Sequence, residues 1–153
     1  MKAPLLLLRA PDDWLAAQLR DWAADRKWVV HAVSQWGALA AAVDVRRPCV
    51  AFLQADLTSD DWAAALAGLT RRHPDAAAVV VSDTKLGDDA RATVAASAVD
   101  LGARFVLFPP LTRHGLEDVA SGLAEVVLAR VGRAIPAPVE PPLDLKEGDF
   151  ETP

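Results

Sequence analysis

The sequence predicts an α/β protein whose strands form a three-layer, doubly wound parallel sheet of (βα)5 type. Two observations predict it. Apolar runs and amphipathic segments alternate along the chain, and the runs are almost continuously apolar, as is typical of parallel strands covered on both faces. These runs, which we predict as strands, are PLLLL (4–8), WVVHAV (28–33), CVAFLQA (49–55), AAAVVV (76–81) and RFVLF (104–108).

A helical pattern follows each apolar run, and most of these patterns have a recognisable start or end. Side chains such as Asp, Ser and Thr accept hydrogen bonds from the free amides of a helix's first turn, and proline or glycine ends a helix. The predicted helices begin at Asp12 or Asp13, near Leu39, at Ser59, at Asp88 or Asp89 and at Thr112, and Pro74 and Gly102 end the third and fourth.

The alternation limits the topology and the organisation of the chain. Right-handed crossovers between parallel strands place helices on both faces, with a flavodoxin-like strand order, and ligands in such sheets bind at the carboxyl ends of the strands. We predict one domain over residues 1–133. Residues 134–153 are different, because prolines crowd positions 136–142 and acidic residues follow, so we predict a flexible, extended tail.

The tail carries most of the acidity of the chain, whose net charge is −5. Its five carboxylates and one lysine sum to −4, which leaves the domain close to neutral. Acidic segments with a few apolar anchors often act as docking peptides. The tail is therefore either a docking segment or a chain end without a partner, and its candidate anchors are Leu143, Leu145 and Phe150.

Bulk composition excludes several classes of protein. No apolar run approaches the ~20 residues that cross a bilayer, and the start of the chain lacks the long apolar core of a signal peptide. No basic stripe of the kind that binds nucleic acid is present. The single cysteine, Cys49, has no disulfide partner in the chain, which fits a reducing cytoplasm.

Three segments carry a resemblance to a known family. They are RPCVAFLQADLTSDDW around the third strand, VVVSD at the end of the fourth, and AVDLGARFVLFPP through the fifth. In this order and spacing, from residue 3 to about residue 132, the chain resembles the receiver domain of two-component response regulators, the CheY-like domain. The resemblance implies a bacterial signalling protein that works through protein contacts.

The resemblance also implies a phosphorylation site, and this chain departs from it. Receivers hold Mg²⁺ with an acid pair after the first strand and an aspartate ending the third, which is phosphorylated. A hydroxyl residue and a lysine before a cis-bonded proline contact the phosphoryl group. The corresponding residues here are Arg9, Ala10, Gln54, Ser82, Phe108 and Pro109, of which only Ser82 and Pro109 match. We therefore expect a degenerate pseudo-receiver without catalytic residues, metal or cofactor.

A displaced phosphorylation site is the alternative. Asp56 lies two residues beyond Gln54 on the same strand face, and Asp12 and Asp13 follow the first strand. Asp56 would then be the acceptor, with Asp12 or Asp13 at the metal. The competing explanation is that these residues cap helices and shape loops, and that Arg9 offsets the charge of Asp56 or Asp12.

A third possibility is a small-ligand-binding or catalytic flavodoxin-like domain that uses the strand-end cleft beside Arg9 and Ser82. The loop after the first strand, RAPDD, has no glycine or hydroxyl group to hold a flavin phosphate. The three histidines lack the spacing of metal ligands.

Receivers commonly pair, or bind a partner, through the fourth helix, fifth strand and fifth helix. The resemblance therefore implies a protein partner or a homodimer at this face, with candidate residues Ala92, Ala95, Ala96, Phe105 and Leu107. Among the tryptophans, Trp14 and Trp22 are eight residues apart and are predicted to pack in the core. Trp36, beside Gly37, is a candidate contact residue.

Overall fold

The computed structural model describes residues 3–43 and 47–134. Their strands form a single five-stranded sheet. The strand order is β2-β1-β3-β4-β5, every pairing is parallel, and each strand lies within one residue of its predicted position, which confirms the doubly wound fold. The elements are β1 Leu5–Arg9, α1 Asp13–Asp25, β2 Val29–Ala32, β3 Cys49–Ala55, α2 Asp61–Arg72, β4 Ala77–Ser82, α3 Asp88–Asp100, β5 Ala103–Leu107 and α4 Arg113–Ala134.

Alternating strand residues fill two separate cores. Helices α1 and α4 cover one face, against side chains such as Leu8 and Phe52. Helices α2 and α3 cover the other face, against side chains such as Leu7 and Leu53. Because neighbouring residues of a strand point to opposite faces, a one-residue slip would expose a whole row of apolar side chains, so the register is strongly fixed.

Most predicted helix boundaries agree with the structure. The Asp12 carboxylate accepts a hydrogen bond from the Leu15 amide at 3.1 Å, and Thr112 Oγ1 accepts one from the Gly115 amide at 3.0 Å. Gly102 follows α3 with φ of 108°, a conformation that favours glycine. The prediction for Ser59 is wrong, because α2 begins at Asp61 with Asp60 as its N-cap residue.

The predicted short second helix is also wrong. The segment instead makes two 3-10 turns, Trp36–Ala38 and Ala40–Ala42, with the side chain of Leu39 buried between them. Starting an α-helix is costly, and a segment of so few residues adds too few hydrogen bonds to repay that cost. The predicted fourth and fifth helices are therefore α3 and α4.

Helix α4 is held against α1 by a hydrogen bond that crosses between the two helices. The indole Nε1 of the buried Trp22 donates to Ser121 Oγ at 3.1 Å, and the Arg26 guanidinium donates to the same oxygen at 3.1 Å. Trp22 confirms its predicted core position, whereas Trp14 is 44% exposed. The side chains of Trp14 and Trp22 thus do not share the core.

The sheet edges are poorly covered. On β5, Phe105 is 49% exposed, and in α3 Ala98 is the one fully buried residue. Residues 135–153, with the predicted tail and its anchors Leu143, Leu145 and Phe150, lie outside the described residues. Within the described ranges, no helix combines the length and apolarity needed to cross a membrane.

Candidate functional site

The carboxyl ends of β1, β3 and β4 meet at one edge of the sheet and form a cleft. The strand order reverses between β1 and β3, which is the position where doubly wound proteins bind their ligands. The cleft has a volume of about 440 Å³ and opens to solvent. It is lined by Asp12, Trp14, Leu15, Gln54, Ser82, Asp83, Pro109 and Leu111.

Gln54 is half-buried at the end of β3 and ties this strand to the loop after β1. Its Oε1 accepts a hydrogen bond from the backbone amide of Asp12 at 3.0 Å. The side-chain amide carries no charge and supplies no carboxylate oxygen to a phosphoryl group or a cation. It acts as a structural brace at the position where the resemblance implies an aspartate.

Arg9, at the end of β1, places a cation where the resemblance implies an acid. Its NH1 donates to the Gln54 carbonyl oxygen at 3.2 Å, and its guanidinium lies 4.4 Å from the centre of the Trp36 ring. The Arg9 Nε atom is buried and has no hydrogen-bond partner within the described residues. Ala10, the next residue, packs against the α1/α4 core and contributes no polar group.

Ser82, which the resemblance assigns to the hydroxyl position of receivers, has its hydroxyl engaged locally. Ser82 is 1% exposed, and its Oγ donates to the Thr84 carbonyl at 2.6 Å and accepts from the Thr84 amide at 3.3 Å. These bonds shape the turn after β4. A ligand in the cleft would therefore have to compete with this turn for the hydroxyl.

At the end of β5, Phe108 and Pro109 point in different directions. Pro109 lines the cleft, whereas the Phe108 ring lies 5.0 Å from the Arg91 guanidinium on α3. The cis peptide bond joins Pro109 to Pro110, one residue later than the resemblance implies. The segment after β5 thus presents Pro109 and Leu111 to the cleft, and neither side chain carries a charge.

The carboxylates of the displaced-site alternative are engaged separately. Asp56 is exposed, and its carboxylate accepts hydrogen bonds from the Thr58 amide at 2.9 Å and the Thr58 hydroxyl at 2.6 Å. These bonds lower the pKa of Asp56 from its usual value, and the positive charge of Arg9 adds a smaller effect. Asp12 caps α1, and Asp13 lies in its first turn.

No cation site is assembled from these acids. Within residues 3–43 and 47–134, no three His, Cys, Asp or Glu side chains are placed to hold one metal ion. The predicted pairing of Arg9 with Asp56 or Asp12 is not seen as an ion pair in those residues, because Arg9 contacts the Gln54 carbonyl and Trp36 instead. The sequence does contain Trp36, but nothing in its spacing marks it as the partner of Arg9.

The predicted partner face is partly exposed. Ala92 and Ala96 on α3 are exposed, Ala95 is half-buried, and Leu107 packs against the α1/α4 core. Phe105 on β5 is the exposed aromatic side chain of this group. Val99, in the last turn of α3, is 56% exposed and adds an apolar side chain to this face that no pattern in the sequence predicts.

Comparison with known proteins identifies the fold. The chain is similar to a CheY-like response regulator receiver domain from Methanospirillum hungatei (TM-score 0.63, 13% identity, 84% of this chain and 99% of that one). It is also similar to a response regulator from Thermotoga maritima (0.63, 11%, 81% and 99%) and to NtrX from Brucella abortus (0.66, 21%, 87% and 30%).

These likenesses establish a CheY-like receiver fold for the described residues, as the sequence predicts. No family model matches the chain, and no curated protein matches it by sequence. At identities this low, the function must be argued from the chemistry of the site.

Proposed function

We propose that the chain is a receiver-like signalling module that works through protein contacts and without phosphorylation. The observation that carries the proposal is the role of Gln54. Its amide occupies the end of β3 and holds the Asp12 amide at 3.0 Å. An amide is not a phosphoryl acceptor.

The charges around Gln54 support the same conclusion. A phosphoryl group near carboxylates needs a divalent cation and a lysine to offset the negative charge. Here Arg9 is fixed against the Gln54 carbonyl, at the strand end where a receiver holds its cation. Two unit charges about 5 Å apart interact by about 3 kcal/mol at an effective dielectric constant of ~20. For a divalent ion this repulsion from Arg9 would double.

The arrangement gives the strand ends a fixed structure without metal. The Gln54–Asp12 bond joins β3 to the loop after β1, and Arg9 reaches from β1 to the β3 backbone. Both contacts are made by the chain itself and require no charge balance from outside. The module would therefore present one constant surface to its partner.

The edge formed by α3, β5 and α4 is the surface we propose for the partner. Phe105 and Val99 are exposed apolar side chains there, beside the small side chains of Ala92 and Ala96. Small residues on a helix permit close approach of a second helix, and an exposed aromatic residue is a common binding anchor. The occupant is a protein, either another component of the pathway or a second copy of this chain.

A phosphoryl analogue tests the first half of the proposal. Trp14 is 44% exposed and lines the cleft, so its fluorescence reports occupancy there. We expect no saturable change when Mg²⁺ and beryllofluoride are added to the wild-type chain. A saturable change that disappears in Asp56→Asn would instead establish a phosphorylatable switch at Asp56.

The same titration also distinguishes a small-ligand-binding domain from a phosphorylatable switch. A response that needs neither Mg²⁺ nor Asp56, but disappears in Gln54→Leu, would show that the cleft binds the anion directly. The Gln54→Leu substitution removes the bond to Asp12 but keeps the size of the side chain.

A paired substitution tests the proposed face. We expect Phe105→Asp to abolish partner binding or self-association, measured by sedimentation velocity and by cross-linking in cell extract. Val29→Asp is the matched control, because Val29 is 42% exposed on β2, the opposite edge of the sheet. Equal effects of the two substitutions would contradict the assignment of the face.

A further inference from the structure

The end of the domain opposite the cleft is positively charged. Because all strands are parallel, the helices return antiparallel to them, and the carboxyl ends of the helices lie beside the amino ends of the strands. We call this region the basic end. Within the described residues, six cations lie at or beside the ends of α1 and α2, the start of β5 and the last part of α4: Arg26, Lys27, Arg71, Arg72, Arg104 and Arg130.

These cations outnumber the carboxylates that the described elements place at the same end. Among the described residues, the carboxylates at or beside the same element ends are Asp25, Asp75, Asp100 and Glu125, four against six cations. The ion pairs among the described residues, Arg113–Glu117 and His114–Asp118, both lie in the first turns of α4 and involve none of these cations. Cations near a helix carboxyl end are favoured by the helix dipole, but Arg104 lies on a strand, so the dipole explains only part of this set.

An exposed apolar side chain, Leu128, lies beside the basic end. Ser121 on α4 is level with Trp22 and Arg26, where α1 is ending. Leu128 lies two helical turns further along the same flank of α4, about 10 Å beyond Ser121. Helix α1 ends at Asp25 and does not reach that far, which explains why Leu128 is 40% exposed.

We infer that the acidic segment of residues 140–151 binds to the basic end of its own domain, with an apolar residue against Leu128. The segment carries Glu140, Asp144, Glu147, Asp149 and Glu151 against Lys146, together with Leu143, Leu145 and Phe150. Its charge and its apolar residues complement the two features of this end. The inference is independent of whether the cleft accepts a phosphoryl group.

The position of the segment in the chain favours this occupant over a separate partner. Helix α4 passes Leu128 and runs to Ala134 at the basic end, and the chain continues from there. Even at the ~3.1 Å per residue of a stiff proline helix, residues 135–142 reach about 25 Å. Five strands about 4.8 Å apart span about 19 Å, so the segment can reach every cation named. A tether of this length gives an effective concentration on the order of mM.

A spin label in the full chain tests the inference. Gly148→Cys introduces a labelling site within the segment. The native Cys49 is 1% exposed and burial raises its pKa to about 12, so a nitroxide reagent at neutral pH reacts with the new cysteine. At low salt, we expect the label to broaden the backbone amide signals of residues 71–72, 104 and 126–130 in ¹⁵N-labelled protein. The Asp12, Gln54 and Ser82 amides, at the cleft end, stay sharp.

Charge variants show whether complementary charge holds the segment. Replacing the five tail carboxylates by their amides leaves the domain untouched and removes the attraction, so the broadening falls to the level of the Asp12 amide. About 1 M salt, where the Debye length is about 3 Å, has the same effect. Arg71→Glu weakens the broadening, whereas the matched control Lys85→Glu, an exposed lysine near the cleft, leaves it unchanged.

Three outcomes would overturn the inference. One is sharp signals at the basic end in low salt, and another is an equal loss in Arg71→Glu and Lys85→Glu. The third is broadening that appears when spin-labelled ¹⁴N chains are mixed with unlabelled ¹⁵N chains, because contact between separate molecules would then account for it. None of these outcomes depends on phosphorylation, so they leave the proposed function to its own test.

Discussion

The hydrogen bond between α1 and α4 allows a quantitative prediction, through the substitution Ser121→Ala. Ser121 Oγ accepts from the Trp22 indole at 3.1 Å, and Trp22 is 1% exposed. Removing the hydroxyl leaves a buried N–H group without a protein acceptor, which costs about 1–3 kcal/mol. The Arg26 bond to the same oxygen is exposed and adds little. We expect the free energy of unfolding to fall by about 2 kcal/mol.

Guanidinium denaturation followed by far-ultraviolet circular dichroism measures this change. For a domain of this size, about 2 kcal/mol corresponds to a drop in Tm of roughly 6–10 °C. Ser121→Thr is the control, because it keeps the hydroxyl on a half-buried side chain. It should remain within about 0.5 kcal/mol of the wild type.

A small effect of Ser121→Ala would refute the reasoning. If its unfolding free energy stayed within about 0.5 kcal/mol of the wild type, water would have to reach the Trp22 indole. Helix α4 would then pack less tightly on α1 than the structure shows. The exposure of Leu128 could then no longer be attributed to the end of α1 beside it. A large effect of Ser121→Thr as well would point to steric packing rather than to the hydrogen bond.

Three further predictions concern single residues. Gly102→Ala should cost about 2–4 kcal/mol, since φ is 108° and the new Cβ would lie 2.9 Å from Thr70 Cβ; a loss under about 1 kcal/mol in denaturant would contradict the strain. Thr58→Ala should raise the pKa of Asp56 in an NMR titration. Because that pKa is lowered in the fold, the Asp56–Thr58 bonds stabilise the protein at neutral pH and are lost as pH falls through it. The Cys49 thiol, with a pKa of about 12, should react with a thiol reagent only at the unfolding rate, and stability should decrease as pH rises from about 9 towards 12; rapid reaction of the native protein would contradict its burial.

The sequence determined the fold because its signals are local and mutually consistent. Runs such as AAAVVV are apolar at every position, so they must be covered on both faces, which specifies a parallel sheet with helices on each side. The caps at Asp12 and Thr112 and the glycine at 102 fix where helices start or stop through bonds within a few residues. The segment from Trp36 to Ala42 forms two 3-10 turns and not the predicted α-helix, because a segment this short gains few hydrogen bonds to offset the cost of starting a helix.

The site was only partly predictable. The residue types at the ends of β1 and β3, Arg9 and Gln54, were evident from the sequence. Their partners were not, because Gln54 bonds to a backbone amide and Arg9 to a carbonyl and the Trp36 ring. Backbone groups occur at every residue and leave no mark in a sequence, so only the three-dimensional structure shows which ones meet.

The sequence by itself therefore determined the class of fold and the strand positions, and it placed Arg9 and Gln54 at the ends of β1 and β3. The tertiary structure decided which side chains face the cleft, with Pro109 there and Phe108 turned towards Arg91. It also gathered cations from four separate elements at the opposite end. Such groupings depend on distances between residues far apart in the chain, which follow from packing and not from any local pattern.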